Sequence, residues 1–265
     1  MTIQYKAPSV KKAFQILEYI SKNEQGFRVS ELSRELNVSK STVHGITSAL
    51  EDLGVIERDR DNKRYVLGLT LIELGRTAFS RLYFREAARP TLQALRDSVH
   101  ETVFLGVRNG NHVTIIDVVE GRHELRISAP IGTRLPLLAG AVGKILLSIL
   151  EEDQALELIK ELGLTRATSK TITDQQQYLR ELRKTREKGV ATDYEEYISG
   201  VRAVAAPLVL QERGLTAAIW VVGFKPNLPA EKMASLEKAI ARAVIDIRQK
   251  IEASEKPGAT HINDW

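Results

Sequence analysis

Apolar residues recur at helical spacing from near the start of the chain. Val10, Ala13, Phe14, Leu17 and Ile20 fall on one stripe behind Pro8 and Ser9 and predict a supporting helix. Leu32 and Leu36 give a second, shorter helix its buried side, with Ser30 as N-cap. Asn37 and Val38 make a turn. Ser39 then caps a third helix in which Val43, Ile46, Leu50 and Leu53 share a face, and Val38 and Val43 stand where a hydrophobic staple would form. Two strand-like runs, Val55 to Arg58 and Arg64 to Leu67, flank the polar turn DRDN. Three helices followed by a hairpin, in that order, predict a winged helix-turn-helix.

The polar side of the third helix carries its chemistry. At about 100° per residue, Ser41, His44, Gly45 and Ser48 lie opposite the apolar stripe. Lys40 stands at the N-terminal end, with Ser41 and Thr42 beside it in the first turn. Small polar side chains allow close approach to base edges, while Lys40 and the helix N-terminus suit phosphate. Gly45 costs a helix roughly 1 kcal/mol against alanine. Either close approach to DNA compensates, or the site tolerates a poor helix former. Arg58, Arg60, Lys63 and Arg64 sit on the hairpin, where they either reach phosphate and minor groove or remain a solvated surface.

Charge sharpens this picture. Residues 1–90 carry 15 Lys and Arg against 11 Asp and Glu, which accounts for the whole net charge of +4; the rest of the chain balances. The excess lies with the winged helix, as expected for a polyanion partner.

Beyond the hairpin, Leu69 to about Phe84 reads as a connecting helix, apolar at Leu71, Ile72, Leu74 and Phe79. It packs either on its own domain or between subunits. A second helix runs from about Arg85 to Val99, with an interruption expected at Pro90. The pattern then changes to alternation. TVFLGV (102–107) and HVTIIDVVE (112–120), separated by Asn109-Gly110, predict a hairpin, and LRISA (125–129) continues the strand pattern. LAGAVGKILLSIL (138–150), residues 152–162 and residues 174–188 read as helices. AVAAPLVL and LTAAIWVV form a further hairpin around Glu212, Arg213 and Gly214. A last helix starts at Pro229, with Leu236, Ile240, Ala243, Ile247 and Ile251 on its buried side, and the tail from Lys256 reads as loose. Hairpins with flanking helices make this part α+β.

Cysteine is absent, which excludes disulfides, thiolate metal sites and cysteine nucleophiles. Residues 1–12 lack the apolar core of a signal peptide, and no apolar run reaches membrane-spanning length. A cytoplasmic protein without membrane contact is the expectation.

The order and spacing of several short motifs resemble one family, the IclR-type transcriptional regulators, from about Val10 to Ile251. The motifs are Ser-Lys-Ser-Thr-Val-His at 39–44, Tyr65 with Leu67-Gly68-Leu69, Glu101-Thr102-Val103, and Gly132 followed by Arg134-Leu135-Pro136-Leu137. Gly143-Lys144, Thr171-Ile172-Thr173-Asp174 and Gly200-Val201-Arg202 complete the set. The sequence departs from the family at Gly45, often arginine, at Leu138, commonly histidine, and at Ala203, often cysteine. The resemblance implies a winged helix-turn-helix DNA-binding domain over 1–68, a linker helix over 69–85, a GAF-like effector domain over 86–252 and a flexible tail over 253–265. It further implies a homodimer or dimer of dimers that binds double-stranded operator DNA, most members repressing until a small molecule binds, with activators also represented. No cofactor is implied.

Family effector positions fall on Gly140, Ala141, Asp193, Ala203, Trp220 and Val222. The backbone N–H groups of Gly140 and Ala141, near a helix start, would receive a carboxylate without a lysine. Members that bind small keto acids often carry serine at the last two positions. Trp220 and Val222 would instead favour an aromatic or apolar effector, unless Trp220 is ordinary core.

Two other functions are open to the sequence. Asp193, Glu195 and Glu196 cluster, as acid–base catalysis requires, yet no histidine lies near them in sequence and no G-x-S-x-G motif occurs. Gly140 to Lys144 fails as a phosphate loop because Leu138 and Ile145 replace its required Gly and Ser/Thr. A winged helix that binds protein instead of DNA is the other, against which stand the basic hairpin and the polar helix face.

Overall fold

The computed structural model describes residues 7–59, 61–80, 84–210 and 214–254. The chain divides between residues 83 and 84 into two compact units.

In the first unit, α1 (Pro8–Ile20), α2 (Val29–Glu35) and α3 (Lys40–Asp52) precede the antiparallel hairpin β1 (Ile56–Arg58) and β2 (Tyr65–Leu67). Ile16, Ile20, Leu32, Val43, Ile56 and Tyr65 form the buried core. Its composition corrects the stripe read from sequence. Val10, Phe14 and Leu53 are exposed, and Thr47 is buried among the α3 core positions. Thr47 tolerates this because its hydroxyl donates to the His44 carbonyl at 3.1 Å, so no polar group is left unpaired. Ser39 caps α3 as expected, its hydroxyl accepting from Thr42 N–H at 3.2 Å. Ser30 does not cap α2. The helix starts at Val29, and the Glu31 carboxylate accepts from Arg28 N–H at 2.8 Å. Asn37 takes φ +51° in the turn between α2 and α3, a conformation asparagine adopts more readily than most residues. α4 (Thr70–Ser80) follows the hairpin, with Leu69, Ile72 and Leu74 exposed.

The second unit is built on one antiparallel sheet of six strands. They are β3 (Thr102–Asn109), β4 (His112–Val119), β5 (Arg134–Pro136), β6 (Ala191–Tyr194), β7 (Val201–Leu210) and β8 (Leu215–Phe224), in the spatial order β5-β4-β3-β8-β7-β6. The first hairpin forms, but its two-residue loop is Gly110-Asn111, one residue later than the Asn109-Gly110 read from sequence: Asn109 ends β3 opposite His112, and Gly110 takes the positive φ of +58°. Glu212 and Arg213, placed by the sequence in the second hairpin turn, lie outside the described residues, as does the tail from Lys256.

The segment LRISA forms no strand. Arg126 and Ser128 instead donate to the Glu120 carboxylate at 2.8 and 2.7 Å, and β5, nine residues farther on, pairs with β4. Strand β6 was not visible in the sequence. It is a short edge strand, ATDY, with no run of alternating apolar residues.

α5 (Phe84–Val99) packs on β3 and β4, and α9 (Ala230–Ser254) packs on β7, β8 and α5. All five residues predicted for the inner face of α9 are buried. Pro90 does not interrupt α5. It removes one backbone donor, but Phe84 and Ala88 before it and Leu92 and Leu95 after it are all buried on the same side and hold the helix continuous. α6 (Gly140–Ser148), α7 (Glu152–Leu162) and α8 (Gln175–Lys188) gather over Phe104, Val113, Ile115, Ala205, Ala218 and Trp220, which therefore share the opposite sheet face.

Candidate functional site

The first site is the outer face of α3. Lys40, Ser41, His44 and Gly45 are exposed there, and Thr42 and Ser48 are half-buried. Ser39 Oγ lies 3.0 Å from Ser41 Oγ and 2.8 Å from Thr42 Oγ1, so the first turn presents an ordered row of hydroxyls. A side chain at Gly45 would meet nothing within 4 Å. Glycine is therefore not required by packing within the chain, and the free space lies outward.

The hairpin brings some of its cations outward and turns one inward. Arg58 is exposed and lies over the Tyr65 ring, 5.6 Å from its centre. Lys63 is exposed at φ +59°. The turn is held by Asp59, whose carboxylate accepts from the N–H groups of Asp61 and Asn62 at 2.8 and 3.1 Å; these bonds hold its carboxyl below the usual range. Arg64 points back into the domain. It donates to the Gly26 carbonyl at 2.7 Å and pairs with Glu31 at 2.9 Å, tying the hairpin to α2. Arg60 lies outside the described residues.

The second site surrounds the start of α6. Cross-strand register places Asp193 of β6 opposite Ala203 of β7, and Ala203 opposite Val222 of β8. The Asp193 carboxylate lies against Gly140, where a Cβ would collide with Oδ2; Gly140 itself takes φ +47°. Gly140, Asp193, Ala203 and Val222 are thus brought together as the sequence indicated, with Ala141 and Trp220 in the same core. That core is closed. Trp220 stacks on Phe104 at 5.3 Å, and a Cβ on Gly106 would come within 2.8 Å of the indole ring. The glycine makes room for the ring, so Trp220 has the packing role.

The open space lies on the other side of Gly140. A cavity of about 430 Å³ is bounded by the turn before α6, by residues 162–172 and by Tyr178, Glu196 and Tyr197. Of the six positions proposed from sequence, Gly140 lines it; Ala141, Asp193, Ala203, Trp220 and Val222 do not.

Two residues outside the six effector positions read from sequence dominate the polar character here. Lys144, 3% exposed, donates from Nζ to Glu196 Oε1 at 2.6 Å. Tyr178 lines the cavity, and its buried hydroxyl has no hydrogen-bond partner among the described residues. A lysine inside the apolar run LAGAVGKILLSIL was a legible signal for the first. Tyr178 lies on one stripe with Leu179 and Leu182 and reads as plain core.

A strap closes one side of the cavity. Thr168 Oγ1 donates to the Glu195 carbonyl at 2.8 Å, and Thr171 Oγ1 to the Glu196 carbonyl at 2.7 Å. The three carboxylates that suggested catalysis are each engaged. Glu196 holds Lys144. Asp193 Oδ1 accepts from Glu196 N–H at 2.6 Å. Glu195, at φ +70°, pairs with Lys170 at 2.5 Å and Lys225 at 3.2 Å; these partners, Lys170 first, hold its carboxyl down to about 2.

Burial raises the Asp193 carboxyl from 3.8 to about 6, the neighbouring Glu196 charge adding to it against the bond from Glu196 N–H and the charge of Lys144. The folded domain therefore keeps this proton where the unfolded chain has released it, and the stability it contributes falls as pH rises from about 4 to 6. Glu195 acts in the opposite sense, its contribution being lost as pH falls from 4.5 towards 2. Asp193→Asn keeps a carbonyl acceptor and removes the charge. The melting temperature of wild type relative to this variant is expected to fall between pH 4 and 6, whereas a constant difference would show that Asp193 titrates normally.

A helix-turn-helix head followed by an α+β domain with its own cavity is the architecture of a transcriptional regulator. Residues 9–60 match the IclR helix-turn-helix domain, and residues 76–249 match the C-terminal domain of the bacterial transcriptional regulator IclR. The chain belongs to the IclR family of transcriptional regulators. It is 31% identical over 249 residues to the HTH-type transcriptional regulator KipR of Bacillus subtilis (strain 168), covering 94% of this chain and 99% of that protein. It is 27% identical over 251 residues to the HTH-type transcriptional repressor AllR of Escherichia coli (strain K12), covering 95% and 93%. An IclR transcriptional regulator from Alicyclobacillus acidocaldarius superposes with a TM-score of 0.78 at 26% identity, over 93% of this chain and 99% of that one. An IclR homologue from Microbacterium hydrocarbonoxydans, complexed with 4-hydroxybenzoate, shares the fold with a TM-score of 0.77 at 22% identity, over 93% and 100%.

Proposed function

We propose that the chain binds double-stranded operator DNA as a homodimer or dimer of dimers in the cytoplasm, and that a small molecule in its second domain alters that binding. Repression relieved by the effector is the simplest form, in keeping with the repressor named among its relatives. The α3 face is the observation that carries the DNA-binding reading: a capped, polar, exposed row whose inner side is packed and whose outer side is open at Gly45. Ser41, Thr42, His44, Gly45 and Ser48 meet base edges in the major groove. Lys40, Arg58, Arg60 and Lys63 meet phosphate. Arg64 braces the hairpin through Glu31 and acts on DNA by holding the other cations in place. Exposed Leu69, Ile72 and Leu74 around α4 supply apolar surface for a second copy.

These roles separate in one experiment on operator and random duplexes. His44→Ala is expected to lower the preference for operator by about 1–3 kcal/mol while leaving random-duplex binding nearly unchanged. Lys40→Ala and Arg58→Ala are expected to weaken both duplexes alike and to make the salt dependence shallower. Equal losses on both duplexes for His44→Ala would remove it from base reading.

For the second domain, the presence of an aromatic carboxylate, 4-hydroxybenzoate, in a protein of this fold supports a small carboxylate or aromatic effector. Gly140, which borders the cavity, and Asp193 beside it support a site at this edge of the buried row.

A further inference from the structure

The polar groups of the cavity beside Gly140 narrow what it can accept. Its wall is mainly apolar, from residues such as Pro136, Leu138, Leu162, Leu164 and Ile172, and no lysine or arginine is among its described lining residues. Tyr178 is 4% exposed, and its hydroxyl is unpartnered among the described residues. Buried hydroxyls are almost always paired, so this one is left for a water or ligand that the adjoining cavity admits. Burial, then the carboxylates of Glu196 and Asp193, push this phenol well above its ordinary value, so it remains a hydroxyl at any physiological pH.

The charges point the same way. Glu196 lines the cavity, and Lys144 is spent on it from behind. The start of α6, which would otherwise turn its positive end towards a carboxylate, already has the Asp193 carboxylate against Gly140. An anion entering here would meet the Glu196 carboxylate, with that of Asp193 behind Gly140, and no uncommitted cation among the described lining residues.

Given the effector-sensing role proposed above for this domain, we propose that the cavity is the effector site and that it takes an uncharged apolar molecule bearing a hydroxyl. The ligand hydroxyl accepts from Tyr178 O–H and donates to Glu196, and its apolar body fills the space under residues 162–172. This excludes the small carboxylate that an open helix N-terminus would have favoured.

The test is calorimetry on the full chain at neutral pH with three probes of one size: benzyl alcohol, benzylamine and benzoate. Benzyl alcohol is expected to bind, and benzoate to bind at least about tenfold more weakly or not at all. Tyr178→Phe removes an oxygen that has no partner in the empty cavity. Its melting temperature without probe is therefore expected to equal or exceed that of wild type, while its affinity for benzyl alcohol falls about tenfold. Glu196→Gln leaves the Lys144 charge unmatched and is expected to shift preference towards benzoate.

Tighter binding of benzoate or benzylamine than of the alcohol to wild type overturns the proposal, as does the absence of alcohol binding at millimolar concentration. A clear fall in the melting temperature of unliganded Tyr178→Phe overturns it too, because the hydroxyl would then be paired inside the fold or with a fixed water. Alcohol binding as expected, with operator affinity unchanged by the bound probe, supports the cavity assignment and overturns its regulatory role.

Discussion

Leu32→Ala is expected to unfold the first domain under conditions where the second stays folded, and to abolish DNA binding with it. Leu32 is 0% exposed and belongs to a core of six buried residues. Truncating a buried leucine costs about 2–5 kcal/mol, more where the surroundings cannot collapse into the space. A domain this small has total stability on the order of 5 kcal/mol, so one such loss removes most of it. Hydrogen exchange on the full chain resolves the outcome. Amides of α1 to α3 are expected to lose protection while those of β3, β7 and β8 keep it. Undiminished protection in α1 to α3 would mean that α1, α2 and the hairpin are held by more than this core.

The second large effect is expected at Glu196. Lys144 has a side chain 4% exposed, and Glu196 is its bonded counter-charge at 2.6 Å. Removing one partner of a buried pair strands the other, at a cost of about 3–5 kcal/mol. Glu196→Ala is expected near the lower end of that range, because Glu196 keeps 18% exposure and Asp193 lies close enough to share the lysine charge. Replacing both members, as Lys144→Met with Glu196→Leu, is expected to recover most of the loss, since apolar pairs of similar volume substitute well for buried ions. Equal destabilisation of the single and double variants by chemical denaturation would show that the pair has a role other than charge compensation.

Periodicity made the long elements legible and the short ones obscure. The α9 stripe repeats over 25 residues, and each of its predicted inner positions is buried. The first hairpin was readable, to within one residue, because few residues accept the positive φ that Gly110 takes in its loop. Strand β6 has four residues and no alternation, and LRISA has the alternation without the pairing. Nothing local distinguishes them, because a ladder depends on which neighbour is available. The first helix misled for another reason. The sequence reading sets Val10 and Phe14 on one stripe with Ile20, but the domain buries Ile16 beside Ile20 and leaves Val10 and Phe14 exposed.

The sites divide similarly. The polar face of α3 follows from helix geometry, so Lys40, His44 and Gly45 could be placed on the outside from sequence alone. The inward turn of Arg64 could not, since it depends on Glu31, 33 residues away in sequence. Family position singled out Asp193, Ala203 and Val222, which the register of β6, β7 and β8 sets side by side in one row, and Gly140, which meets Asp193 from the start of α6. What that row could not tell is where empty space remains. Trp220 fills the room over Gly106, and the cavity opens instead at Tyr178 and Glu196.

The central claim is that the chain reads a DNA sequence through a basic winged helix. The most direct measurement is a salt titration of the full chain on an operator duplex, recovered as the genomic fragment it enriches, with a random duplex beside it. With about six phosphates neutralised per dimer, the plot of log affinity against log salt is expected to fall with a slope of about −5, the operator remaining the tighter duplex throughout. A flat salt response, or identical affinity for the two duplexes at every salt concentration, would contradict it.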